Sequence, residues 1–306
     1  MKKRWFALFL VLVMLFCSAC AAEESKGILY RVKNGRNDMY LLGSIHVGSR
    51  EMYPMSDAIM EAVANADVLA FECDTESAEA LQDALKLMSY PIGDSVEKHI
   101  SAETFELLEK AAQKTGNPIG MLKALKPWAI VSMFSVETTA AEMGTEDISE
   151  AMELGVETQI RLLAEEKEIH YLETAKDQLQ MMDGFSPELQ DYLLSTACQA
   201  ILEPDQAGTT LRLWPEWWRD GNAEGFVTDY YAEQAVDAPE GLLQEYHEKL
   251  LLQRNVHMAL ELQKLLEAEE THSYFVTVGL LHLVLPGESI PDELEKLGYQ
   301  VERILE

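Results

Sequence analysis

The chain has 306 residues, 48% apolar and 25% charged, enough for one large domain with a sizeable core. Acidic side chains outnumber basic ones 53 to 24, for a formal charge of −29. That balance argues against a nucleic-acid partner, whose phosphates it would repel, and against charge-driven adsorption to an anionic membrane.

The first element in chain order is a targeting segment. Lys2, Lys3 and Arg4 precede an unbroken apolar run over residues 5–16, too short to span a bilayer comfortably and suited to a signal sequence. Small residues just before Cys20 resemble a bacterial lipobox, with Cys17 where leucine is usual. Residues 1–19 are therefore expected to be a lipoprotein signal peptide, with Cys20 as the lipidated first residue of the mature chain. Residues 20–26 read as a tether and residues 27–306 as one folded domain. The expected location is extracytoplasmic, anchored to the membrane by lipid. Cys73 and Cys198 remain in the mature part. Cys73 ends an apolar run, which suits a buried free thiol better than a disulfide.

Strand-like runs occupy residues 28–32 and 39–42, separated by Asn34-Gly35, a hairpin signal. Helical spacing follows over 55–65, then a short buried-type strand over 67–71. Residues 76–166 are mostly helical, and residues 168–172 form another strand. A second helical stretch covers 175–269. The run at 274–278 is the clearest buried strand. A short amphipathic helix over 290–297 and a last strand over 299–305 complete the chain. This order predicts an α/β fold: a central mixed or parallel sheet assembled from N- and C-terminal segments, with a large helical insertion.

Four polar residues share one kind of position. His46 follows a strand, Glu72 and Glu173 end strands, and His282 follows a strand. In open α/β sheets, sites form in the crevice beyond the carboxyl ends of the strands. If these strands run parallel, the four side chains gather at one edge. Gly43 and Gly279 each stand three residues before a histidine, where glycine permits a positive φ or a close backbone approach. Two imidazoles and a carboxylate make a three-ligand metal set with an open position for water. The metal-free alternative uses one histidine as general base, with Glu72 fixing its tautomer. The remaining histidines, at 99, 170, 247, 257 and 272, read as surface or packing residues. Trp214, Trp217 and Trp218 read as packing a helix on the core, and Met181 and Met182 as filler.

The ordered motifs resemble the TraB/GumN/Tiki family. They are YLLGSIH at 40–46, Pro54, ADVLAFE at 66–72, GVET at 155–158, YLET at 171–174 with Gln178, WWRDGN at 217–222, Arg254-Asn255, FVTVGLLHL at 275–283 and LGYQV at 297–301. The resemblance spans nearly the whole mature chain. It implies an α/β fold and, from the animal members, metal-dependent peptidase activity with manganese or cobalt. His46, Glu72 and His282 match the residues implicated there. Arg254 matches a polar position suited to a substrate carboxylate or an oxyanion. Glu157, where the family often has Asp, or Glu173 is expected to orient a ligand histidine from behind. The leading expectation is a membrane-tethered, metal-dependent peptidase acting on a peptide or small-molecule substrate. The alternative is a lipoprotein that binds a peptide or solute without turnover.

Overall fold

The computed structural model describes residues 24–142, 147–163, 167–204, 211–234, 238–239 and 241–305. The expected signal peptide and Cys20 lie outside them. Six strands form one sheet: β1 (Leu29–Lys33), β2 (Asp38–Ser44), β3 (Val68–Phe71), β4 (Glu168–Tyr171), β5 (Ser273–Gly279) and β6 (Gln300–Ile304). Their order across the sheet is β4-β3-β5-β2-β1-β6.

The sheet is mixed, and its two halves are built differently. β4, β3, β5 and β2 run parallel, whereas β1 is antiparallel to both β2 and β6. β3 and the central part of β5 are buried throughout, as strands covered on both faces must be, and their sequences are near-continuous apolar runs. β5, from the far end of the chain, pairs along its full length with β2 and shares its other edge with β3. N- and C-terminal segments are thus one core, as the sequence order implies.

The β1–β2 hairpin turns at Asn34, which adopts φ 73°, a conformation asparagine tolerates better than most residues. The turn also receives a helix. Asn37 is buried and donates from Nδ2 to the carbonyl of Leu265 at 2.8 Å, satisfying an end of the helix Gln253–Leu266. The expected tether is shorter than residues 20–26. Ser25 is fully buried, bridges to Met55 and bonds to Pro54, while Lys26 and Gly27 bond to the helix Trp214–Asp220. These backbone bonds make Ser25 and Lys26 part of the fold.

The helical insertion has its own small core, in which Leu108, Ile130, Phe134, Leu194 and Cys198 are fully buried. Here the helices Ala102–Thr115, Pro127–Glu142 and Pro187–Leu202 pack together. Cys73 and Cys198 are both buried free thiols. Burial pushes each up to about 12, so neither is a thiolate at neutral pH. Among the described residues, no helix is long and apolar enough to cross a membrane.

Candidate active site

The four parallel strands present their carboxyl ends at one edge, and the four residues expected there occupy it. His46 lies in the bend after β2, and Glu72 directly follows β3. Glu173 stands two residues past β4, and His282 sits in the short helix Leu281–Val284 after β5. Gly43 and Gly279 are within their strands, not after them, and neither has a positive φ. Their role is close approach. A Cβ on Gly43 would fall 2.7 Å from the Leu280 side chain. A Cβ on Gly279 would fall 3.1 Å from Glu72 Oε1. The bare Gly279 N–H instead donates to that oxygen at 2.5 Å.

Arg254 is the hub of the buried part. It is brought to the edge by a π-helical turn, Glu248–Leu252, that directly precedes its helix. Nη2 donates to Glu72 Oε2 at 2.5 Å and also to Glu173. Nε donates to Glu173, and Nη1 donates to the Leu250 carbonyl at 3.3 Å and to His282 Nε2 at 3.1 Å. Gln178 closes the cluster from the helix Ala175–Asp183, donating to both glutamates at 3.1 and 2.6 Å. A guanidinium has five N–H donors and all five are engaged.

These contacts fix the tautomer of His282. Arg254 can only donate, so Nε2 accepts and the proton of the neutral ring is on Nδ1. That proton is directed at Asn255 Oδ1, 2.5 Å away. The Asn255 amide group in turn donates to the Glu288 carbonyl at 2.6 Å. Asn255 is 1% exposed and His282 4%. Burial, reinforced by Arg254, outweighs the pull of Glu72 and holds His282 down to about 4. It is uncharged at neutral pH. Burial would raise the Glu72 carboxyl, but its neighbours reverse this and hold it at about 2. His282, which carries charge once the pH falls below about 4, lowers it most, followed by Arg254 and the Gly279 N–H.

His46 differs from its counterpart. Its side chain is exposed, while its backbone is clamped by the turn around Gly155. The Val156 N–H donates to the Ile45 carbonyl at 3.0 Å, and the Gly48 N–H to that of Ala151 at 2.8 Å. A Cβ on Gly155 would fall 2.3 Å from the His46 carbonyl oxygen, and one on Gly48 1.9 Å from that of Leu154. The two glycines let these segments interlock. His46 follows β2, which pairs in parallel with β5, so its bend lies at the same carboxyl edge as His282.

Neither second glutamate supports a histidine. Glu157 accepts from Arg161 at 2.8 Å, and Arg161 also reaches the Cys73 carbonyl and stacks 4.0 Å over Phe71. Glu173 holds Arg254 and Gln178. The tryptophans pack as expected: Trp218 is fully buried and donates to the Gly43 carbonyl at 2.8 Å, and Trp214 and Trp217 meet Phe226 edge-on. His247, expected on the surface or in packing, bonds to Tyr230 and to Glu288.

His46, Glu72 and His282 are a chemically reasonable donor set for a divalent cation, but their arrangement does not fit one. The His282 lone pair and Glu72 Oε2 both point at the Arg254 guanidinium. Among the described residues, no three His, Cys, Asp or Glu side chains are grouped to hold a metal.

The model of the TraB/PrgY/gumN family matches residues 28–303, nearly the whole chain and every residue of this site. The chain belongs to the TraB/PrgY/gumN family. It is also 24% identical over 255 residues to YbaP of Escherichia coli strain K12, described as uncharacterized, across 83% of this chain and 86% of that one. YbaP of Shigella flexneri matches to the same extent. No solved structure matches. Across this TraB/PrgY/gumN chain, the motifs at 40–46, 66–72, 171–174 and 275–283 and the Arg254-Asn255 pair build the carboxyl edge, whereas those at 217–222 and 297–301 belong to the end of the helix Trp214–Asp220 and the start of β6. Two members of the buried cluster had no assigned role in the sequence reading. Asn255 and Gln178 stood in the motifs, but nothing in spacing reveals that one fixes a histidine tautomer and the other ties two glutamates together.

Proposed function

We propose that this chain is a hydrolase of peptide or related acyl bonds, acting outside the cytoplasm and tethered by lipid at Cys20. The carrying observation is that an exposed histidine and a buried, ionised glutamate stand at one carboxyl edge of the parallel strands. His46 is the general base. It takes a proton from water as that water attacks the substrate carbonyl, and returns it to the departing nitrogen or oxygen as the tetrahedral intermediate collapses. Glu72, ionised at the same edge, stabilises the imidazolium formed in between. Arg254, Gln178 and the Gly279 N–H hold that carboxylate in place. The resemblance implies a manganese or cobalt ion on His46, Glu72 and His282, which would acidify a bound water. No step here passes through it, because Arg254 lies where it would bind.

The test is the full chain, in detergent or nanodiscs, incubated with peptide libraries with and without manganese, beside His46→Ala. Cleavage by the wild type that is lost in the variant supports the reading. Stoichiometric capture of a peptide without product contradicts turnover and leaves a binding lipoprotein.

A further inference from the structure

We infer that Arg254 is the resident cation of this site, occupying the position a divalent metal would take, so that the chain's His/Glu/His set binds no metal while Arg254 is in place. The inference concerns what the site holds and does not depend on whether it hydrolyses anything.

Charge is the first constraint on the site. Glu72 and Glu173 are buried together, each 9% exposed, and two carboxylates there need a compensating cation. Arg254 supplies it, bonded to both. Its own charge is secured in turn: burial opposes it, and the two glutamates more than restore it. Direction comes next. A metal ligand must aim a lone pair at the ion. Asn255 holds the His282 proton on Nδ1, so the free lone pair of that ring is on Nε2, and it faces Arg254. Glu72 Oε2 faces Arg254 and Gln178, and Oε1 is taken by the Gly279 N–H. Two of the three expected donors thus converge on one guanidinium.

Without the guanidinium, two carboxylates and the His282 lone pair would face a common space. This is a hard-to-intermediate donor set that suits manganese, cobalt or zinc. Arg254 is thus what separates a metal-free site from a metal site in this chain.

The test is binding, not activity. Manganese is titrated calorimetrically into the full chain, into Arg254→Gln and into Arg254→Gln/His282→Gln, with elemental analysis after desalting and circular dichroism to check folding. The wild type is expected to show no saturable site and to retain no metal. Arg254→Gln is expected to gain one site, at least about 100-fold tighter than any wild-type binding, from loss of the guanidinium's repulsion at contact distance. The double variant is expected to lose most of that gain. One manganese retained per wild-type chain overturns the inference, as does a folded Arg254→Gln that gains no affinity. If Arg254→Gln does not fold, the wild type decides alone. The His282 ring resonances must then stay sharp on manganese addition, and their selective paramagnetic broadening refutes the assignment.

Discussion

The two Gly-x-x-His elements occupy equivalent positions at the carboxyl ends of neighbouring parallel strands, yet their histidines have opposite environments. His282 is buried, both of its ring nitrogens are bonded, and it is held uncharged. His46 is exposed, and its backbone rather than its side chain is what the fold secures. The contrast teaches that a repeated motif need not repeat a role. One copy is buried into the cluster around Arg254, and the other leaves its imidazole exposed at the same edge.

The comparison breaks most visibly through the buried cluster. Arg254→Ala leaves Glu72 and Glu173 buried without their cation and is expected to cost about 3–5 kcal/mol of stability, whereas Glu72→Ala, which leaves the Arg254–Glu173 pair but strips Arg254 and the Gly279 N–H of an acceptor, is expected to cost about 1–3 kcal/mol, both read by urea unfolding. If either costs no more than a surface substitution, the network is not holding the site together. Asn255→Leu removes the acceptor for the His282 Nδ1–H and the donor to Glu288, and about 1–3 kcal/mol is expected. Gly48→Ala forces a methyl into the Leu154 carbonyl, with an expected cost of about 1–3 kcal/mol and displacement of the His46 bend. Peptide turnover, where it is detected, should fall with it.

Acid should act through His282. The unfolded ring takes a proton near its ordinary value of 6.5, while the folded ring takes one only near 4. The unfolded state binds more protons throughout that interval, so stability should fall as pH drops from 6.5 to 4. Glu72 adds a second loss from its ordinary 4.5 down to about 2. Denaturant midpoints measured between pH 7.5 and 4 should show a gentler slope in His282→Gln. An unchanged slope would mean the ring is not held neutral. The smallest stability effect belongs to His46→Ala, within about 0.5 kcal/mol, because the side chain is exposed. Its effect on turnover should nonetheless be complete.

Much of this arrangement was legible in the sequence, for a physical reason. Buried parallel strands are continuous apolar runs, and a polar residue directly after one must sit at the carboxyl edge. His46, Glu72, Glu173 and His282 were placed by that rule alone. Arg254 was singled out only by resemblance, and its partners were hidden. Glu72 and Arg254 are 182 positions apart, and a π-helical turn shifts the helical phase just before Arg254. Periodicity read along one helix cannot register such a shift. Spacing does not tell Glu157 from Glu173 as a site residue, and in the fold Arg161, four residues on along the same helix, pairs with the Glu157 carboxylate. The tether was drawn too long because backbone bonds from Ser25 to Pro54 leave no trace in composition.

The central claim is that His282 is a fixed, uncharged member of the buried cluster and not a second reactive histidine. Long-range proton–nitrogen correlation spectra of the ¹⁵N-histidine-labelled chain at pH 7 test it most directly, with the His282 signals assigned by their loss in His282→Gln. A neutral ring protonated on Nδ1 is the predicted result. A cationic ring, a ring protonated on Nε2, or rapid exchange between the tautomers would contradict it.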